Sequence, residues 1–289
     1  MPAMRDLELA RIRSRKISAA FFYGLIILAT VLSISILFII IYHIFVSGVG
    51  ALDFDFFTKI PKPYGEAGGG IAPAILGTLI MLLLAALIAI PIGVATAIFI
   101  VEYGETKLAT SVRFAVELLA ELPSIVVGIF IWALVVRNLT GYSGFAGSLA
   151  LAVIMIPIIA RSVEEILKLV PDTLREAALA LGTPRWKVVL FIVIPTVLPG
   201  MFTSIMLAVA RAAGETAPLL LTSLGNAFFN FNLRRPMAAM PLQIYSYAIS
   251  PYDDWHKKAW GATLLLIAII GILSGAVKYF TRRWNHESR

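Results

Sequence analysis

Thirty-six consecutive residues, Ile17–Leu52, contain no Asp, Glu, Lys or Arg. No other feature of the sequence constrains the fold as strongly. A bilayer core accepts roughly 20 apolar residues per helix, and a helix satisfies its own backbone hydrogen bonds where no water can. The basic stretch Arg5–Lys16 precedes the run, an order shared with secretion signals. The apolar part of a signal is only about 7–15 residues long, so this run reads as an anchor that stays in the chain. Composition extends the argument to the whole molecule. Of 289 residues, 60% are hydrophobic and 14% charged, against about a quarter charged in an average soluble domain.

The fold class expected is all-α integral membrane with six transmembrane helices. The first span is Ser18–Val46, and in the loop Gly48–Gly70 the aromatics Phe54, Phe56, Phe57 and Tyr64 suit a membrane interface. The second span is Ala72–Val101, which Pro91 is expected to bend. Glu102–Glu121 is polar and mixed in charge and is expected to include a helix at the membrane surface. Leu122–Val136 is a short third span between Glu121 and Arg137. A Gly-rich turn leads to a fourth span that begins near Ser148, passes Pro157 and continues as the charged helix Arg161–Leu169. Val188–Ala210 and Ala259–Val277 complete the set. Leu219–Phe231 could form a seventh span. Asn226, Asn230 and Asn232 favour instead a partly re-entrant extracytoplasmic segment.

Lys and Arg counts orient the chain. With the N-terminus inside, the first tail holds five, residues 102–121 two, residues 161–187 five and the last tail four, together 16 of 24. Both termini and the 171–187 segment are therefore expected in the cytoplasm. The net charge of +7 comes from these span ends. No basic face interleaved with exposed aromatics marks a nucleic-acid surface. With no cysteine, thiolate metal sites and cysteine nucleophiles are excluded. The three histidines, His43, His256 and His286, are far apart, so no metal site is expected. No G-x-x-x-x-G-K-S/T phosphate loop or catalytic motif occurs, so this chain is expected to bind no ATP itself.

Pro171–Pro199 reads as two helices at a sharp corner. Thr173 and Glu176 have capping-box spacing, which predicts a helix from Leu174. Leu174, Ala177, Ala178 and Leu181 then share one apolar face. Gly182 is suited to end the helix in the left-handed conformation, and Thr183-Pro184 to start the next with a hydroxyl cap.

Glu176-Ala177-Ala178, Gly182, Ile192 and Pro195 match the EAA-x3-G-x9-I-x-L-P loop of ABC-importer permeases, with Ile194 in place of the usual Leu. The flanking LVPDTLREAALALGTPRWK and the stretch Arg211 to Pro218 resemble more closely the PstA-type permease subunits of phosphate importers, over most of the chain from about Gly70. The resemblance implies a type I (MetI-like) importer permease fold of the bacterial or archaeal inner membrane. Residues 1–71 would form the tail, first span and outer loop, 72–281 the permease core with its coupling loop at 171–187, and 282–289 a cytoplasmic tail. It implies a homologous PstC-type permease, a PstB-type ATPase dimer that uses ATP and Mg, and an extracytoplasmic PstS-type phosphate-binding protein as partners. Glu176, Ala177, Ala178 and Gly182 would couple to the ATPase, the two small alanines allowing close approach to its groove.

Charges at membrane depth cost about 2.5–3.5 kcal/mol each on insertion scales, so those near the spans are the candidates for the substrate pathway. Arg161 lies about 13 residues, or roughly 20 Å, into the fourth span. It either reaches the headgroups or pairs with Glu164 (i,i+3) or Glu165 (i,i+4). Arg211 and Glu215 are again i,i+4. There an arginine fork suits phosphate and a carboxylate neutralises it when empty, while a purely structural ion pair is the other reading. The resemblance places Arg211 and Glu215 along the pathway, and Arg161, Glu164 and Thr216 are the further candidates for it. A permease for another oxyanion is the nearest alternative. A self-sufficient secondary anion transporter is a more distant one, because such folds carry inverted repeats and none is visible.

Overall fold

The computed structural model describes the backbone of residues 2–63, 66, 68–104 and 106–287, and the side-chain surroundings of these apart from residues 2–14, 17, 278 and 280–287. Tyr64, Ser288 and Arg289 lie outside the described set, as do the side chains of residues 282–287. Among the described residues the architecture is helical, with no strand beyond two isolated bridges. Five helices are long and apolar enough to cross a membrane, or six when one bent pair counts as a single span.

Helix α1 runs over Pro2–Gly48, and the apolar part of it is exposed nearly all round. It touches the rest of the chain near its end, where a side chain on Gly48 would sit 2.6 Å from the Trp260 carbonyl oxygen. There His43 also meets the Trp260 ring edge-on at 4.9 Å. The short α2, Phe54–Thr58, is capped by Asp53, whose carboxylate accepts from the Phe56 amide at 2.7 Å. Phe56 is fully buried in an outer cluster with Ile71, Tyr247 and Trp255, so it is a core residue and not an interfacial one.

Helix α3, Ala72–Glu102, continues unbroken through Pro91. Its buried face carries Ala85, Ala89, Gly93 and Ala97, a small residue every fourth position. Such a stripe lets helix backbones approach closely in lipid. The neighbour is α6, Gly144–Leu167, whose Ile159 presses on Gly93. Between them in sequence lie the amphipathic α4, Lys107–Glu121, and α5, Ser124–Ile131, which continues as π-helical turns over Trp132–Thr140. The two meet at 103°. Helix α6 begins four residues before Ser148. Ser143 Oγ accepts from the Ala146 amide at 3.2 Å, and the carbonyls of Arg235 and Leu233 accept from the Gly144 and Phe145 amides at 3.0 and 2.8 Å.

Then come α7, Asp172–Ala180; α8, Arg185–Val188, with a π-helical turn over Val189–Val193; and α9, Ile194–Ala213. The core lies between α3, α6 and α9. After the six-residue α10, Ala217–Thr222, the chain leaves helix and returns as an extended, buried segment at Met237–Ala239. A side chain on Gly77 of α3 would run into the Ala238 carbonyl oxygen, which measures how closely this segment approaches. Ser223 Oγ donates to the Met237 carbonyl at 2.6 Å, and Thr78 Oγ1 accepts from the Met240 amide at 2.7 Å. Residues 219–231 therefore form no spanning helix. Helices α11, Met240–Ala248, and α12, Asp253–Glu287, follow. Burial in the outer cluster pushes the Tyr247 phenol up to about 12.

Candidate functional site

The 171–199 corner starts from Pro171, whose backbone (φ −60°, ψ 139°) ends the preceding chain in an extended conformation. Helix α7 then begins at Asp172, two residues before the start at Leu174 that a capping box predicts, and no side chain caps it. Thr173 is already inside the first turn, so the capping-box reading is corrected. A proline-set extended residue fixes the start without a hydroxyl. At the other end, Gly182 takes φ +78°. The Gly182 amide donates to the Leu179 carbonyl at 2.9 Å and the Thr183 amide to the Ala178 carbonyl at 3.4 Å. This is the paired closure of a Schellman motif. Pro184, not Thr183, caps α8: its carbonyl accepts from the Lys187 amide at 2.9 Å.

Of the EAA residues, Glu176 and Ala177 are exposed, while Ala178 is 6% exposed and belongs to the chain's own core. Close approach of a partner at Ala178 is thereby corrected, because that position is already filled. Leu174 and Leu181 are open, Leu181 being 87% exposed, so much of the apolar stripe faces away from this chain.

What holds α7 to the body is Arg175. Its Nη1 pairs with Glu102 Oε1 at the end of α3, its Nη2 donates to the Leu167 carbonyl at 3.1 Å, and its Nε lies 3.9 Å from Asp172 Oδ1. A cleft of about 610 Å3 opens beside it, bounded by Tyr103, Thr106, Lys168, Leu179 and Arg185. The sequence reading missed Glu102 and Arg175. Their opposite charges at the end of one apolar run and in the next basic loop were the available signal, but 73 residues separate them.

Glu164 is 4% exposed and pairs with Arg113 of α4 (Nε to Oε1, 2.9 Å) and Lys168 (Nζ to Oε1, 2.8 Å). Glu165 also pairs with Lys168, at 3.0 Å. The hydrogen bond that Lys168 donates to Glu164 raises the Lys168 pKa above its ordinary value. Arg161 is exposed and has no ion-pair partner among the described residues, so of its two readings the pairing with Glu164 or Glu165 is not formed. Lys168, one turn further on, reaches both carboxylates, and Arg113 enters from α4. Arg161 also lies 17 residues after Gly144, roughly 25 Å along α6, near the helix end and not at mid-span.

The Arg211–Glu215 pair is corrected as well. Helix α9 ends at Ala213, and the Glu215 amide donates to the Ala212 carbonyl at 3.2 Å in a turn. Glu215 is thus off the helix, and no ion pair joins it to Arg211 among the described residues. Arg211 is exposed, whereas Glu215 and Thr216 are half-buried. Thr216 precedes α10 without capping it through its side chain. The five pathway candidates form two groups: Arg161 and Glu164 near the corner, and Arg211, Glu215 and Thr216 at the far end of α9, whose 20 residues span about 30 Å.

Residues 89–286 match the family described as binding-protein-dependent transport system inner membrane component. The chain is 42% identical over 236 residues to the phosphate transport system permease protein PstA of Yersinia pestis, covering 81% of this chain and 80% of that protein. It is 37% identical over 269 residues to the protein of the same name from Haemophilus influenzae, covering 92% and 95%. Among solved structures, the inward-facing MetNI methionine ABC transporter superposes with a TM-score of 0.59 at 20% identity, over 74% of this chain and 94% of that one. An amino acid ABC transporter crystallised with histidines gives 0.55 at 18% identity, over 74% and 92%. At those identities the structural likeness bears on the fold alone. The chain belongs to the binding-protein-dependent transport system inner membrane component family, and within it to the PstA phosphate transport system permease proteins.

Proposed function

We propose that this chain is the membrane permease subunit of an ATP-driven phosphate importer, with six spans and both ends in the cytoplasm. The observation that carries the reading is the corner at 172–182. It is a nine-residue helix closed by a left-handed glycine, with Glu176, Ala177 and Leu181 left open, in a chain 42% identical to a phosphate permease. An open apolar stripe beside a carboxylate suits docking into a separate ATPase. That ATPase would supply the ATP and Mg chemistry, and this chain would catalyse nothing.

Residues 72–281 would form the permease core. Phosphate would cross beside a homologous PstC-type permease after delivery by an extracytoplasmic PstS-type binding protein. Glu176, Ala177 and Gly182 would present the docking surface, and Ala178 would anchor it. Arg211 would meet the anion near the outer end of α9, with Glu215 and Thr216 in the turn beside it. Arg161, exposed near the inner end of α6, would line the exit, and Glu164 would hold α4 against α6.

Vesicles holding this chain with its permease, ATPase and binding-protein partners should accumulate phosphate only when ATP is supplied. Uptake by this chain alone in ATP-depleted vesicles would overturn the reading in favour of a stand-alone carrier. Uptake of another oxyanion in place of phosphate would overturn the substrate.

A further inference from the structure

We propose that Arg175 is the positioning residue that joins movement of the docking helix to the core helices, through Glu102 and the end of α6. The inference rests on the importer reading given above.

Helix α7 has nine residues, of which Ala178 alone is buried. A helix that short has no stability of its own, and one buried methyl fixes its position weakly. The cleft of about 610 Å3 beside it leaves that side of the helix unpacked. Pro171 and Gly182, at its two ends, are the points about which it would swing.

Arg175 makes up for that sparse packing. The side chain is 15% exposed and Glu102 is 20% exposed, so the pair is shielded enough to act as a fixed link. One arm of the guanidinium holds the carboxylate at the end of α3, while another holds the Leu167 carbonyl in the last turn of α6. Carbonyls in a last turn have no partner inside their helix; that of Leu167 accepts from the Val170 amide just beyond α6 at 3.3 Å, and Arg175 adds a second bond to it from α7. Helices α3 and α6 are in turn locked together by the small-residue stripe of α3. A displacement of α7 is therefore passed to both as one body. A lysine is a single point charge without the planar fork, and it cannot hold both partners in this geometry.

The test uses the complete transporter in proteoliposomes and reads phosphate accumulated per ATP hydrolysed. Arg175→Ala and Arg175→Lys should each lower that ratio about tenfold, the scale of a typical coupling between sites, with the complex still recovered. The reversed pair Glu102→Arg with Arg175→Glu should regain part of the ratio lost by either reversal alone. An unchanged ratio in an intact Arg175→Ala complex overturns the proposal. Where Arg175→Ala does not assemble, Glu102→Ala decides, since it removes the acceptor on α3 and leaves the bond to Leu167 in place: a lowered ratio supports the link and an unchanged one removes it. Absence of any phosphate-linked hydrolysis in the wild-type complex would overturn the importer reading itself, an outcome distinct from wild-type coupling that the variants preserve.

Discussion

A carboxylate as shielded as that of Glu164 persists only if cations are brought to it, and Arg113 and Lys168 do this from two helices. Stripping away both cations leaves a buried charge uncompensated, which costs about 3 kcal/mol or more. Glu164→Gln leaves two cations that are already partly in water. The double variant Arg113→Ala, Lys168→Ala should therefore melt at a lower temperature in detergent than Glu164→Gln, and the reverse order would refute the assignment. The sign of the pH dependence follows from Lys168. Its folded pKa is raised above the ordinary 10.5, so its contribution is complete below that value and is lost only as pH rises through the raised one. Melting measured across neutral pH should show no step from this group. Arg211 differs in kind, being exposed and without an ion-pair partner among the described residues. Arg211→Lys should lower phosphate uptake about tenfold, the scale of one charge-assisted hydrogen bond, while assembly stays intact. Adding Glu215→Gln to Arg211→Gln should restore nothing, and recovery of uptake in that pair would return Arg211 to a structural role.

At the scale of elements, the corner depends on one backbone conformation. Gly182 at φ +78° closes α7, and an ordinary residue there costs roughly 1–2 kcal/mol, more for a β-branched one. Gly182→Val should reduce both copurification of the ATPase and uptake, whereas Gly182→Asn should be tolerated. Normal copurification and uptake in Gly182→Val would sink the docking role. The long elements were legible in the sequence because an apolar run longer than about 20 residues has few other uses. Gly182 was legible for a related reason: only a residue without a Cβ turns that corner freely. The cap at Thr173 was misread because the spacing Thr-x-x-Glu is common and Pro171, two residues upstream, had already set the helix start. The Arg211–Glu215 pair was misread because i,i+4 spacing means proximity only while the helix continues, and it stops at Ala213. The links from Arg113 to Glu164 and from Glu102 to Arg175 are tertiary. They arise from which helices pack together, and no periodicity records that.

For the whole molecule, the arrangement to test is which end of each span faces the cytoplasm. Single cysteines replacing Arg15, Lys187 and Tyr279 should resist an impermeant thiol reagent in intact cells, while one replacing Thr58 should react. Arg15, Lys187, Thr58 and Tyr279 are all exposed in the structure, so sidedness decides the result. Labelling at Tyr279 from outside would require an odd number of crossings and would reinstate residues 219–231 as a span. The parting of the charged groups, one near the corner and the other at the far end of α9, was hidden in the sequence for a simple reason. Residues 161 and 211 each have a glutamate three or four positions further along the chain, and only the path of α6 and α9 sets them apart.

The first turn of α6 has a consequence for chemistry at its end of the molecule. A free helix start is an anion well, because its amides point outward with nothing to bind. Here the Gly144 and Phe145 amides already donate to Arg235 and Leu233, and the Ala146 amide to Ser143. The returning loop acts as a stopper, filling the well with the protein's own oxygen atoms. A passing oxyanion meets a closed surface there and is not retained. A carrier must let go of its cargo as readily as it takes hold, and sealing this well removes one place where a multiply charged ion would stick.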